Sequence, residues 1–275
     1  MAIALILAAV SLCAAEAPVG KTWAVIVGIS KYQKLPHDLW LQYPDADAAK
    51  FSEFLASPAG GSVPASQQLL LTNERATTSA LRQTFQTVLR DKPGRNDTVY
   101  ILIAGHGTVD PTGAYFLTYD SDPANLAGTA LPMGELHTVV EQELTRAGRV
   151  ILLADVCRAA AIAGQKTTTL AGVVEKIGEV PGEMLGLMSA RPTELSLEGP
   201  DFGGGHGAFT WSVLRGLGGA ADTDHDGFVS AGELIDFVTA DVPKLTGGKQ
   251  HPRDFGNMDN GTKLSAVPVS GRAGE

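Results

Sequence analysis

The chain has 275 residues, 44% of them hydrophobic, and a formal net charge of −9. That is long enough for one large α/β domain with small additions and too apolar for global disorder. The acidic balance argues against a nucleic-acid partner, because phosphate binding needs a basic face.

Residues 1–15, MAIALILAAVSLCAA, form an apolar run ending in small residues, the pattern of a secretory signal peptide cleaved near Ala15 to Ala17. The run is too short for a comfortable membrane span, and it lacks an opening Lys or Arg. Cys13 sits where a lipid could attach, but Leu12 precedes it where a small residue is expected. The expectations are an exported protein, periplasmic or extracellular, a signal peptide over 1–17 and no stable membrane insertion once it is gone. Its removal leaves Cys157 as the only cysteine, so no disulfide can form within the mature chain. For a single leftover cysteine in an exported chain a reactive thiol is one of the two standard explanations, although free cysteines are commonly buried and inert.

Trp23–Ile29 is an apolar, β-branched run of the kind found in strands buried on both faces. Helical spacing over 47–55 predicts a helix stopped by Pro58 and Gly60. A short strand is expected at 69–72, a helix over 77–90, and a second buried strand over 98–107. Residues 114–120 suggest a surface hairpin strand, 133–146 a helix and 149–157 another buried strand. The Ala-, Gly- and Thr-rich stretch 158–182 reads as a mobile loop. A strand at 184–190 and a helix at 208–217 follow, and the small, polar residues from 261 to 275 read as a flexible tail. Strands alternating with helices predict an α/β fold with a mostly parallel sheet flanked by helices on both faces.

Two buried strands end in reactive residues, A-G-H-G at 104–107 and D-V-C-R at 155–158. Ligands of open α/β sheets bind outside the carboxyl ends of the strands. Neighbouring strands would therefore set His106 and Cys157, 51 positions apart in sequence, across one crevice. Each residue alone is weak evidence, since a lone strand-end histidine is more often structural.

These segments, with W-A-V-I-V-G-I, D-A-D-A-A-K-F, S-A-R-P-T-E and G-H-G-A-F-T-W-S-V-L, resemble the caspase/metacaspase family of cysteine peptidases from about Trp23 to Met258. The 51-residue interval also fits the spacing of about 50 between histidine and nucleophile in caspases. The resemblance implies a caspase-like fold over 21–260 and an endopeptidase acting on proteins or peptides. It makes Cys157 the nucleophile, His106 the general acid/base, and the backbone N–H groups of Gly107 and Cys157 the oxyanion hole. It further implies that Asp155 lines the S1 pocket together with Asp47, Asp45 being the nearby alternative for the second acid. Two carboxylates there would select Arg or Lys. Without that role Asp47 would be a helix-capping or solvated acid. Arg158 and Ala159 depart from the His-Ser-Gly common after a metacaspase nucleophile. A catalytically silent binding module is therefore the alternative. Basic specificity makes Lys166 and Lys176 candidate self-cleavage positions.

Residues 222–233, D-T-D-H-D-G-F-V-S-A-G-E, match the EF-hand loop through all its key positions. Asp222, Asp224 and Asp226 would offer side-chain oxygens, Phe228 its carbonyl, Ser230 a water-mediated contact and Glu233 a bidentate carboxylate to Ca2+. No second loop is present to pair with it, and a lone site suits the millimolar calcium of extracellular modules. His37, His137, His206, His225 and His251 show no comparable setting. No HExxH, Walker or GxSxG motif occurs.

Overall fold

The computed structural model describes residues 20–89, 93–143, 147–158, 182–191 and 193–267; for 88–89, 139–143 and 157–158 it describes backbone only. The expected signal segment 1–17, the stretch carrying Lys166 and Lys176, and residues 268–275 lie outside the described residues.

β1 (Thr22–Gly28) leads through a loop to α1 (Pro44–Ala56), then β2 (Gln68–Thr72) and α2 (Thr78–Thr84), which widens into π-type turns over Phe85–Leu89. β3 (Thr98–Asp110) folds back as β4 (Gly113–Phe116), and a short α3 (Leu126–Thr129) and β5 (Leu131–Pro132) precede α4 (Met133–Glu143). β6 (Arg149–Arg158), β7 (Glu183–Met188), the small pair β8 (Glu198–Gly199) and β9 (His206–Gly207), and α5 (Ala208–Arg215) follow. β10 (Phe228–Ser230), α6 (Ala231–Leu245), β11 (Arg253–Gly256) and β12 (Lys263–Ala266) complete the chain.

The main sheet runs β11-β7-β6-β3-β1-β2, parallel throughout except for the edge strand β11. The strands alternate between two cores, as the period of two requires. Val25, Val27, Ile101, Ile103 and Leu152 pack with Leu81 of α2 and Leu136 of α4. Ala24, Ile26, Leu102, Ile151 and Leu153 pack on the opposite face with Phe51 of α1, Phe209 of α5 and Val238 of α6. The expected α/β architecture, mostly parallel and covered on both faces, is thus present.

Local chemistry explains the helix that positions the site. Pro44 opens α1, where its missing N–H does no harm, and Asp45 and Asp47 face the positive end of the helix dipole. Ala48, Phe51 and Leu55 fall on one buried stripe. Truncating a residue such as Phe51, fully buried, to Ala is expected to destabilise by about 3–5 kcal/mol. Gly28 ends β1 against this helix; a Cβ there would lie 2.0 Å from the Pro44 carbonyl oxygen, so only glycine allows the approach.

Some boundaries differ from expectation. The stretch 114–120 yields only β4, and it is buried rather than superficial because it takes the place beside β3 that β1 vacates beyond Gly28. The flexible tail expected from 261 is corrected at 263–266. There β12 pairs antiparallel with β10, burying Ser265, whose hydroxyl donates to the Leu217 carbonyl at 2.7 Å. Backbone pairing orders a segment whose side chains alone give no strand pattern.

Candidate active site

β3 and β6 are parallel neighbours, and their register places His106 opposite Cys157, Ala104 opposite Asp155 and Gly107 opposite Arg158. The two reactive positions inferred from strand ends therefore share one edge of the sheet. β3 continues past the end of β1, and the loop between β1 and α1 reaches His106 through Leu39.

That loop fixes the His106 ring. Nε2 lies 2.7 Å from the Leu39 carbonyl, which can only accept, so Nε2 carries the proton. Tyr32 stacks on the ring at 5.1 Å; its hydroxyl accepts from the His106 N–H at 2.8 Å and donates to the Ile29 carbonyl at 3.0 Å. Nδ1 is buried and has no hydrogen-bond partner among the described residues. Burial lowers the pKa of this imidazole, against an upward pull from Leu39, so the ring is neutral at physiological pH and Nδ1 is an acceptor. For Cys157 and Arg158 only the backbone is described.

Gly107 lies opposite Phe116 in β4. The Leu117 N–H bonds to the His106 carbonyl at 2.9 Å, making Gly107 and Phe116 a non-hydrogen-bonded pair. The Gly107 N–H therefore points away from β4, toward the side of β6.

Next to the His106 and Cys157 positions lies a pocket lined among others by Leu41, Asp47, Gly105, Asp155, Glu198 and Gly207. The two acids singled out from sequence meet here. Asp47 Oδ1 is 2.6 Å from His206 Nδ1, and Oδ2 accepts from the Gly207 N–H at 3.0 Å. Asp155 Oδ1 accepts from the Ser196 hydroxyl at 2.5 Å and Oδ2 from the Thr210 hydroxyl at 2.7 Å. Gly207 lies between the carboxylates; a Cβ would stand 2.8 Å from Asp155 Oδ2 and 3.1 Å from Asp47 Oδ2, so a side chain would fill the gap they share. Asp45, the alternative acid, is committed elsewhere. Its oxygens take the Ser30 hydroxyl at 2.6 Å and the Asn73 amide at 2.7 Å, which tie down the loop after β1.

Burial dominates the electrostatics. It pushes the Asp47 carboxyl up to about 6, opposed by the His206 bond and assisted by the charge of Asp155. The Asp155 carboxyl is likewise raised by burial, against the hydroxyls of Ser196 and Thr210. Glu198 adds a third acid, also raised by burial, with its oxygens accepting from the Gln42 and Tyr43 N–H groups at 2.9 and 3.1 Å. Three carboxylates bonded to hydroxyl, backbone N–H and imidazole donors, with no Lys or Arg bonded to them among the described residues, suit a cationic group.

Sequence reasoning found Asp47 and Asp155 but gave no role to Glu198, and His206 was set aside. Both belong to short strands whose pairing brings them to the pocket, and two residues form no period to read. The G-H-G-A-F-T segment was a usable signal for His206.

In the acidic loop, ligand oxygens of Asp222, Asp224 and Asp226 lie within 4.8 Å of one another, and Asp222 Oδ1 is buried without a partner among the described residues. Gly227 has φ +87°, the left-handed turn the pattern demands. An all-oxygen set with one orphaned buried carboxylate oxygen fits calcium. Glu233 stands outside this cluster. It forms a capping box with Ser230 at the start of α6, and its Oε1 accepts from the Thr223 N–H at 2.8 Å. Burial acts upward on this carboxyl, but the bonds from Ser230 and Thr223 prevail and hold it at about 2. Phe228 and Ser230 lie in β10, which pairs with β12.

The fold is similar to that of a crystal structure of protein GSU0716 from Geobacter sulfurreducens, with a TM-score of 0.60 and 16% identity over 90% of this chain and 98% of that one. No curated protein matches the sequence. The family model described as the caspase domain matches residues 21–259. That match takes in both strand ends, the pocket and the acidic loop, and the chain belongs to the caspase domain family of peptidases.

Proposed function

We propose that this protein is a cysteine endopeptidase that uses a His106–Cys157 dyad and cleaves after Arg or Lys. The observation carrying this reading is the meeting of Asp47 and Asp155 in one pocket, beside a neutral His106 whose Nδ1 lacks a partner among the described residues.

In the proposed cycle the Cys157 thiol gives its proton to His106 Nδ1 as sulfur bonds to the scissile carbonyl carbon. The carbonyl oxygen becomes an oxyanion, received by the backbone N–H groups of Gly107 and Cys157. The C–N bond then breaks, His106 returns the proton to the leaving amine, and water hydrolyses the thioester by the reverse proton path. Leu39 and Tyr32 keep the ring in the tautomer that makes Nδ1 the acceptor. Asp47 and Asp155 hold the basic side chain before the scissile bond.

Calcium is the proposed ion of the loop, held by Asp222, Asp224 and Asp226, the Phe228 carbonyl, Ser230 through water and Glu233. It would supply positive charge to the clustered carboxylates and stay apart from the chemistry. Lys166 and Lys176 are the proposed self-cleavage positions, and residues 1–17 the proposed export signal.

The deciding experiment measures hydrolysis of Arg-, Lys- and Asp-ended fluorogenic peptides by the protein and by Cys157→Ala. Cleavage after Arg or Lys that vanishes in the variant is expected. Cleavage after Asp would overturn the pocket assignment. Silence toward all three by a folded protein with a titratable thiol would favour a binding module.

A further inference from the structure

His206 takes no part in the dyad, yet it is among the most closely held side chains near the pocket. Its ring lies parallel to Trp211, 5.5 Å between centroids and 6° between planes. Trp211 is backed by Gly203, where a Cβ would stand 2.6 Å from the indole, so the backbone presses against it. With the ring fixed, Nδ1 meets Asp47 Oδ1 at 2.6 Å, with Asp47 2% exposed. The next residue, Gly207, binds the other oxygen. Two successive residues of β9 therefore grip both oxygens of one buried carboxylate.

Asp47 needs such a grip. Asp155 from β6 and Glu198 from β8 face the same pocket, and Asp45 lies two residues away on α1, with its own donors in Ser30 and Asn73. Among the described residues that line the pocket, every other charged group is an acid, and low dielectric makes the acids oppose one another's ionisation. The Nδ1–H of His206 is the only side-chain donor bonded to Asp47 among the described residues.

We propose that His206 is a specificity-determining positioning residue: it holds Asp47 as an oriented carboxylate, so the pocket accepts a guanidinium or ammonium side chain only while the His206–Asp47 pair is intact. This rests on the reading of the pocket as the site for the basic side chain of a substrate.

The test compares His206→Asn with His206→Gln. The Asn amide can stand where Nδ1 stood; the longer Gln side chain carries its amide past that position. Both keep a polar, non-titrating group of moderate size, and melting curves together with iodoacetamide alkylation of Cys157 report folding and dyad integrity. For arginyl peptides, His206→Gln is expected to raise KM about 10- to 100-fold with kcat little changed, as for the loss of one charge-assisted bond. Its pH midpoint should move upward, and His206→Asn should recover most of the KM. KM and pH profiles of the wild type in both variants would overturn the inference while leaving the peptidase reading intact. A wild-type protein that cleaves nothing after Arg or Lys would remove both.

Discussion

The molecule gathers acids in two places and treats them in opposite ways. In the pocket, Asp47 and Asp155 are buried, each oxygen is bonded to a fixed donor, and burial raises both carboxyls. In the 222–233 loop, Asp224 and Asp226 are exposed, their neighbours are mostly backbone N–H groups, and Lys263 is an exposed ion partner. The pocket acids are already bonded in place, so little rearrangement is needed to receive the singly charged group proposed for the substrate. The loop keeps Asp224 and Asp226 in water, where their charges can coexist until the proposed divalent ion collects them. Burial thus separates the proposed site for a cationic side chain from the proposed calcium loop, although the residue types are the same.

The largest expected effect comes from deleting charge where it is most buried. Asp155→Asn keeps the shape and the contacts with Ser196 and Thr210 within reach, but should lower kcat/KM for arginyl peptides by about 30-fold or more, since removing one partner of a buried charge pair costs about 2–5 kcal/mol. A change of less than about 3-fold, within ordinary variation for an exposed pair, would mean that the pocket does not bind the basic side chain.

Asp47 sharpens the contrast through pH. With its carboxyl at about 6, kcat/KM toward arginyl peptides should fall about tenfold per unit below that value, once other titrations are allowed for. Stability should move the other way. The carboxyl is raised above its ordinary 3.8, so the folded state binds the extra proton, and the stability this contributes is present below about 4 and lost as pH rises through 6. Denaturation of the wild type and Asp47→Asn between pH 4 and 7 should show the wild type losing ground to the variant. A pH-independent difference would refute the raised carboxyl.

Much of the pocket could be read in the sequence because its main parts sit on long elements. Asp155 and Cys157 end a ten-residue strand, His106 lies on a thirteen-residue one, and Asp47 opens a helix with a clear buried stripe. Their periodicities set which elements form, and the parallel register did the rest. Glu198 and His206 were illegible for the converse reason: β8 and β9 have two residues each, and their position depends on glycines at 203–207 passing close to Tyr43, Trp211 and the acids. β12 was read as tail because Lys263, Ser265 and their neighbours gain order from the partner strand β10 rather than from a hydrophobic pattern. That pairing also sets β12 along the flank of the 222–233 loop, where a second loop of the same kind would otherwise pair.

The exposed cluster predicts smaller, ion-dependent effects. A lone loop with a Kd of about 10⁻⁴–10⁻³ M, in about 10 mM calcium, gains about 1.4–2.7 kcal/mol, a rise in melting temperature of about 3–10 °C. Chelator should reverse it and Asp224→Asn should abolish it, while magnesium at the same concentration should do less, given its preference for a compact octahedral shell. An unchanged melting curve would show that the loop does not bind calcium.

Lys263 offers the finest test of the contrast. Its ammonium lies 3.0 Å from Asp226 Oδ2 and 3.7 Å from the centre of the Phe228 ring, so β12 brings a cation to a proposed calcium ligand. Both partners are about half exposed, which limits such a pair to about 0.2–1 kcal/mol. Calcium must compete with that ammonium for Asp226. Lys263→Met keeps the apolar stem over Phe228 and removes the charge, so calcium affinity measured by titration calorimetry at low salt should tighten by about 1.4- to 5-fold. The gain should fade as salt approaches about 1 M, where screening acts over about 3 Å. A weaker affinity in the variant would mean that Lys263 orders the loop more than it opposes the ion, making the C-terminal strand a support of the site rather than a competitor for it.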